Sequence, residues 1–331
     1  REFSSTAGTA GGSLKALFEV RDGDNLENFK GKVTKADSYS LTVENTSIDN
    51  IKSLNLPDKD GKITVNNISY SYDSWEAQVD AQGNIKSVTF NLSKDKAIAD
   101  PEKTVAEGYL LNAGSAINAR GIPYYMTQLN EFVRNFSEMF NQIESKGQNL
   151  NGDTPPTFFE AITNTAKVYD FSESEAYSKL PDGQTATINS SSNTYYRMTA
   201  ANFSVNKDVM NDVSLFATST DYVKTDSCDI VDELKKLQSE KTVYRGDKAE
   251  SFLETIISNV SVDTEKAETY NKLYSNLEQT IANQRTSVSG VDEDEEALNL
   301  VKFQYSYNMA SKIISVMNQM LDKLINDTGV A

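Results

Sequence analysis

The 331-residue sequence contains no histidine and a single cysteine, Cys228. These absences exclude a Ser-His-Asp triad, a Cys-His pair, and zinc sites built on histidine or on several cysteines. A disulfide within the chain is excluded as well, because Cys228 has no second cysteine to pair with. Two carboxylates could still form an active site, but no local pattern among the 48 acidic residues singles out such a pair. We therefore expect no enzymatic activity, no cofactor and no metal centre.

Basic charge is also scarce. Lys and Arg number 32 against 48 Asp and Glu, which gives a net charge of −16 and a pI near 4.6. Proteins that bind nucleic acids or anionic lipid surfaces do so through clusters of basic residues. This sequence has no such cluster, so both classes of partner are disfavoured. The sequence has no run of roughly 18 apolar residues and no charged-then-apolar start, so it shows neither a membrane helix nor a signal peptide. With 38% hydrophobic residues, the chain can build ordinary folded cores.

The first third of the chain changes its apolar period from helical to strand-like. Leu14, Leu17 and Phe18 have helical spacing and stop at Arg21-Asp22-Gly23, which indicates the last turns of a helix cut off upstream. From about 31 to 118 apolar and polar residues alternate, in the runs Tyr39-Leu41-Val43, Ile63-Val65, Ile68-Tyr70-Tyr72, Trp75-Ala77-Val79 and Val88-Phe90-Leu92. The polar segment 80–84 separates two of these runs, as in a hairpin. This pattern predicts a β-rich module of roughly 90 residues.

The middle of the chain returns to helical spacing. One apolar face contains Leu129, Phe132, Val133, Phe136, Phe140 and Ile143, and Gly147 is placed to end that helix. Residues 148–206 are interpreted as loops and strands, and 229–240 as a short helix capped by Asp229. Ser251 and Glu254 form a capping-box pattern that predicts a further helix starting at Ser251.

The last part of the chain carries two heptad seams. The first consists of Ala267, Tyr270, Tyr274, Leu277, Ile281, Gln284 and Val288, and Ser289-Gly290 ends or bends its helix. Five acidic residues, 292–296, follow. They suit a helix N-terminus with Asp292 as N-cap. A calcium or catalytic carboxylate cluster is the alternative, although the glycine and the spacing of an EF-hand loop are absent.

The second seam predicts a partner interface. It comprises Leu300, Phe303, Tyr307, Ala310, Ile314, Met317, Leu321 and Leu324, which alternate steps of three and four. A second stripe of Val301, Tyr305, Ile313, Val316 and Met320 widens the apolar face. A helix of about 35 residues is roughly 50 Å long and needs partner helices to cover it. An intermolecular bundle is the favoured interpretation, and a hairpin between the two seams within one chain is the alternative.

Several segments resemble flagellar axial proteins. In the C-terminal part they are residues 289–296 (SGVDEDEE), 300–307 (LVKFQYSY), 310–314 (ASKII) and 324–330 (LINDTGV). Earlier segments are residues 11–22 (GGSLKALFEVRD), 129–136 (LNEFVRNF) with 150–152 (LNG), 200–205 (AANFSV) and 281–285 (IANQR). Within the axial proteins, these segments are most similar to the first hook-filament junction protein family, hook-associated protein 1. They cover most of the chain outside roughly 24–118.

The resemblance implies a structural role in the bacterial flagellum and its motility. Members of this family are exported unfolded by the type III apparatus without a cleaved signal peptide. They form an extracellular ring on the hook, and their terminal helices pair as a coiled coil. The implied partners are the hook protein, the second junction protein, neighbouring copies of the chain and an export chaperone for the C-terminal helix. The N-terminal helix of the family does not appear here, so we expect this sequence to be a fragment.

The resulting expectation is an α+β, multidomain, elongated axial protein with long coiled-coil-type helices, a mixed helical/β domain and an inserted β-rich module. Its segments are 1–23, the end of a truncated helix; 24–118, the inserted outer module; 119–290, the helical and mixed domain; and 291–331, the axial coiled-coil helix. The alternative function is a surface or glycan-binding module of the adhesin type in 24–118, with Trp75 and Tyr72 as the first substitutions to try. A secreted enzyme or peptidoglycan hydrolase is a further alternative, which the lack of histidine and of a recognisable acid pair in 24–118 disfavours.

Overall fold

The computed structural model describes residues 12–58, 60–94, 97–99, 101, 108–174, 177, 179–223, 227–239, 242–244 and 247–327. Residue 11 of the resemblance segment 11–22 and residues 328–330 of the segment 324–330 lie outside this described part. The chain divides into two compact units, Arg1–Ile257 and Ser258–Ala331. The fold class is α+β, with a closed β-sheet, a mixed region of helices and short strands, and long C-terminal helices.

The described helices and strands have the following bounds. The helices are α1 Ser13–Asp22, α2 Ile122–Glu144, α3 Lys207–Asn211, α4 Asp229–Ser239, α5 Ala249–Ser289 and α6 Glu293–Asp327. The strands are β1 Lys30–Asp37, β2 Ser40–Glu44, β3 Gly61–Val65, β4 Ile68–Val79, β5 Ile85–Leu92, β6 Leu110–Ala113, β7 Phe159–Ala161, β8 Ala186–Asn189, β9 Phe203–Val205, β10 Thr242–Tyr244 and β11 Asp247–Lys248. Single 3₁₀ turns occur at Ile51–Ser53, Tyr195–Arg197 and Val213–Leu215.

Six antiparallel strands close into a small barrel in the order β3-β6-β1-β2-β5-β4, and β4 closes the ring by pairing with β3. The first half of β4 pairs with β3 and its second half pairs with β5, which explains its twelve-residue length. Strand β8 lies beyond residue 118, the predicted end of the module, and pairs with the second half of β4. The sheet therefore includes a strand from the later part of the chain.

The barrel interior holds the predicted alternating residues. Leu41, Val43, Ile63, Val88 and Phe90 are all fully buried or nearly so, which confirms the strand period of two. The predicted loop at 80–84 connects β4 and β5 through hydrogen bonds from the amides of Gln82 and Asn84 to the Asp80 carboxylate. That carboxylate is also 2.9 Å from the Lys86 ammonium, so the hairpin is closed by side chains as well as by backbone.

Trp75 and Tyr72 are core residues, and the suggestion that they bind glycans is wrong. Both side chains are fully buried, although they are three positions apart and a regular strand would place them on opposite faces. An irregularity in the β4–β5 register between Tyr72 and Ser74 adds the extra residue that turns both inward. The two short runs seen in the sequence are thus one continuous strand with a bulge.

Helix α2 buries two faces. Its predicted apolar face packs against later elements: the Phe132 ring lies 5.7 Å from that of Phe252, and Ile143 shares a cluster with Ile230 and Leu237 of α4. The second face was not predicted, because it consists of the polar residues Gln128, Glu131, Arg134, Ser137, Glu138 and Asn141, each at most 7% exposed. The helix therefore connects an apolar cluster on one side with a polar, hydrogen-bonded contact on the other.

Arg134 is the centre of that polar contact. Its guanidinium donates to the backbone carbonyls of Lys52, Leu54 and Met198 at 2.6–3.1 Å and lies 4.4 Å from the centre of the Tyr196 ring. Tyr196 in turn accepts from the amide of Leu56 and donates to its carbonyl. These bonds fasten the barrel loop 52–56 and the turn at 195–198 to the middle of α2, because carbonyls that leave water need a donor.

The predicted helix 229–240 is confirmed as α4, with Ile230 and Leu237 buried. The predicted cap is wrong, because Asp229 is already the first residue of the helix and the amide of Asp232 donates to the carbonyl of Cys228. The Asp229 carboxylate accepts from the amide and hydroxyl of Thr220, which ties the preceding loop to the start of this helix. The predicted start of the next helix at Ser251 is wrong by two residues. α5 begins at Ala249, which is 4% exposed in the cluster with α2 and α4, and this packing extends the helix backwards.

Candidate assembly surface

The candidate site is the apolar seam of α6, a 35-residue helix that contains no buried residue. All eight predicted residues lie on this one helix, and their spacing places them on one face. The exposed fractions of the seven large side chains are 70% for Leu300, 73% for Phe303, 75% for Tyr307, 59% for Ile314, 55% for Met317, 50% for Leu321 and 63% for Leu324. Ala310, the eighth, is exposed too. The structure thus presents the whole predicted set as one accessible stripe.

A second apolar stripe lies beside the seam. At 3.6 residues per turn, Ile313 and Met320 are rotated roughly 80–100° around the helix axis from the centre of the seam, and Tyr305 roughly 160°. Leu298 and Met309, which the sequence argument did not single out, extend this stripe and are 61% and 68% exposed. Met317 and Ala310 form the edge of the seam nearest to this second stripe, so the two stripes together cover about half of the circumference. A helix with so wide an apolar arc can contact two neighbouring helices at once.

The remaining face of α6 is polar and mostly uncharged through its middle. Asn308, Ser311, Ser315 and Gln319 all lie on this face and are exposed. Because this strip is polar, the apolar arc is the side of α6 that can pack against another helix. Substitutions on this face serve as matched controls for substitutions in the seam.

The start of α6 is fixed by local chemistry. The Asp292 carboxylate accepts from the amide of Asp294 at 3.0 Å, which confirms Asp292 as the N-cap. Residues 293–296 form the first turn, where negative charge interacts favourably with the helix dipole. Gly290 separates α6 from α5, since a Cβ there would overlap the carbonyl oxygen of Thr286. The acidic run is accordingly explained by the beginning of the helix.

The seam of α5 is exposed as well. Tyr270, Tyr274, Leu277 and Ile281 are 49–64% exposed, and Val288 is 89% exposed. Helix α5 ends at Ser289, as predicted from Ser289-Gly290. In the described chain, therefore, neither seam of the second unit buries the other, and the geometry does not form the intramolecular hairpin.

Other candidate chemistry is sparse. Among the described residues, no cluster of three or more acidic or cysteine side chains is arranged to hold a metal ion. Cys228 is exposed and makes no disulfide. Within the part of the chain that the structure covers, no helix combines the length and the apolar character needed to cross a lipid bilayer.

Two comparisons with known proteins bear on the surface. Residues 282–327, which comprise the end of α5 and all of α6, match the family model described as "Flagellar basal body rod FlgEFG protein C-terminal". The chain is also similar to "Flagellar hook-associated protein 1" of Bacillus subtilis (strain 168), with 24% identity over 215 residues. That alignment covers 63% of this chain and 36% of the relative, so the chain spans only about a third of the relative's length. The helix with the exposed seam therefore lies wholly within the segment that matches this family model.

Proposed function

Because the chain is a homologue of flagellar hook-associated protein 1, and thus a structural component of the bacterial flagellum and not an enzyme, we propose that it builds the junction between hook and filament. It assembles there through α6, whose seam packs against helices of neighbouring subunits. The observation that carries this proposal is the unburied heptad seam in the segment that matches the axial-protein family model.

The energetics support a buried seam in the assembled state. Full burial of a large aliphatic or aromatic side chain stabilises by about 1.5–3 kcal/mol, and the seven large seam residues have half or more of their surface still to bury. An exposed apolar stripe of this length on a soluble chain marks an interaction site. A single helix in water would also be marginal without tertiary contacts, which a bundle of subunits supplies.

The parts of the chain take different roles in this proposal. Residues 291–331 form the axial coiled-coil helix, 119–290 the helical and mixed domain, and 24–118 a module on the outer surface. Residues 1–23 belong to the end of a helix of the helical domain. The partners are the hook protein, the second junction protein and other copies of the chain, and a chaperone covers the C-terminal helix before export. The protein reaches its extracellular position through the flagellar export apparatus without a cleaved signal peptide.

The proposal is tested by deleting the gene in the source bacterium and examining the cells by electron microscopy. We expect hooks that carry no filaments, with flagellin monomers in the growth medium, because the junction is the platform on which filament subunits add. Complementation with the full-length gene should restore filaments. Normal filaments in the deletion strain would remove the junction role, whereas loss of the hook itself would place the protein earlier in the axial structure.

A further inference from the structure

A cavity of about 890 Å³ lies wholly within the first unit, a volume typical of pockets that take small ligands or peptide side chains. Helix α2 supplies one wall with Glu138 and Asn141, and β7, the loop 168–174 and the start of α3 supply the others. Asn141 fixes the wall geometry, because its amide group bonds both the N–H and the carbonyl of Phe159 at 2.8–2.9 Å. The cavity is thus built on tethered elements.

The lining is acidic. Glu138, Glu160, Asp170 and Asp208 face it, with Lys207 as a basic residue among the lining side chains. Two of the carboxylates have partners of their own. Glu138 is 2.8 Å from the Lys52 ammonium, and Asp170 accepts from the amide and hydroxyl of Ser172. The other two, Glu160 and Asp208, are available to a ligand.

Glu160 is the decisive residue. It is 5% exposed, and its neighbours on β7, Phe159 and Ala161, pack into an apolar cluster, so strand alternation directs Glu160 to the opposite face, towards the cavity. Within the described residues, no hydrogen bond or ion pair reaches the Glu160 carboxylate. Burial and the nearby Asp208 raise the pKa of Glu160, and Lys207 opposes this shift. The carboxylate opens onto the cavity, so a cation bound there would gain a charge-assisted contact with it.

Aromatic rings complete the cavity. Phe171 and Tyr195 are stacked with their centres 4.4 Å apart, and Tyr169 lies next to them in the lining. The molecule already binds one guanidinium on such a ring, since Arg197 lies 4.1 Å from the centre of Tyr169. Aromatic rings beside carboxylates suit a planar guanidinium, which stacks on the ring and donates two parallel hydrogen bonds to a carboxylate.

We propose that this cavity binds an arginine side chain presented by a partner polypeptide, with the Glu160 and Asp208 carboxylates accepting from the guanidinium beside the Tyr195 wall. The site is independent of the α6 seam and adds a docking point on the first unit. Its acceptors select a cation, and the aromatic wall selects a planar one over an ammonium.

The proposal is tested by titrating the full chain with N-acetyl-arginine methylamide in a calorimeter. The neutral isostere, N-acetyl-citrulline methylamide, is the ligand control. We expect the arginine derivative to bind and the citrulline derivative not to bind. Glu160→Gln should weaken binding at least about fivefold, since it removes one charge-assisted contact. Glu76→Gln, which removes an exposed charge from β4, should leave binding unchanged.

The variant Glu160→Gln keeps the side-chain size and removes a buried charge, so its melting temperature should not fall. If it does not fold, Asp208→Asn serves in its place, because Asp208 is exposed. Absence of binding by the arginine derivative, or equal affinity in wild type and both variants, would overturn the proposal. Tighter binding of spermidine than of the arginine derivative would also overturn it, since the cavity would then be a site for small amines.

Discussion

The seam of α6 can be tested by a charge placed at Ile314, which lies in the middle of the stripe and is 59% exposed in the chain. If a neighbouring helix covers this exposed part, the wild-type side chain gains about 1–2 kcal/mol per subunit. Aspartate forfeits that gain and puts a carboxylate without a partner into the interface, which costs at least about 2 kcal/mol more. A total of about 3–4 kcal/mol per subunit weakens each contact by a factor of roughly 10² to 10³.

In the isolated chain the same substitution should do little. Ile314 is exposed there, and aspartate in a helix interior lowers stability by at most about 0.7 kcal/mol. We therefore expect Ile314→Asp, and likewise Leu321→Asp, to leave the melting temperature of the first unit unchanged. In the full-length protein each should abolish filament growth. The assays are circular dichroism of the purified chain, and motility with electron microscopy of the complemented deletion strain.

The matched control is Ser315→Asp, which adds the same charge one residue away on the polar face. It should permit normal filaments. Secreted variant protein is measured in the medium to separate an assembly defect from an export defect. Normal filaments with Ile314→Asp would refute the seam argument. An equal defect with Ser315→Asp would show that any added charge on α6 is harmful and that the seam has no special role.

Four further outcomes are expected. Burial raises the pKa of Glu144 to about 7, and a hydrogen bond from the amide of Ala217 opposes this shift. The folded state therefore holds a proton that the unfolded state releases above about pH 4.5. Urea unfolding should show a free energy of unfolding that falls between pH 4.5 and 7, by at most about 3 kcal/mol, and Glu144→Gln should flatten this dependence. Arg134→Met leaves three carbonyls without their donor and should cost about 3–5 kcal/mol in the same assay, and Arg134→Lys should not restore the loss. Gly61→Ala would drive a Cβ into the Tyr72 ring and should lower barrel stability by about 1–3 kcal/mol in thermal unfolding. In a dilute solution of the chain, amides of residues 293–327 should exchange rapidly with deuterium, and strong protection would instead favour a hairpin between the two seams.

The strands predicted from the sequence are those whose inward residues are large and alternate strictly. β1 was missed because Gly31 and Val33 are its only buried residues and charged or polar side chains occupy most of the strand. Its place in the barrel is fixed by pairing with β2 and β6 on either side. Pairing of this kind depends on the surrounding sheet, so a single strand's composition does not reveal it.

The burial of the polar face of α2 could not be predicted from the sequence, for a related reason. A sequence pattern with Glu131, Arg134 and Glu138 at helical spacing is typical of a solvated face. These residues are buried because the loop 52–56 presents carbonyl groups to Arg134 and because Lys52 pairs with Glu138. The partners lie about 80 residues earlier in the chain, and no local sequence pattern in α2 indicates them.

Helices α2 and α6 show what periodicity predicts and what it leaves open. Both carry an apolar stripe at helical spacing, and both were predicted as helices from it. In α2 the stripe is covered within the same unit, where Phe132 stacks on Phe252 and Phe140 lies 4.7 Å from Phe159. In α6 the stripe is longer and wider, yet Leu300, Phe303 and Tyr307 are each at least 70% exposed. A stripe that no described segment of its own unit covers is available to a partner helix, and the charge tests at Ile314 and Leu321 are designed to detect that partner.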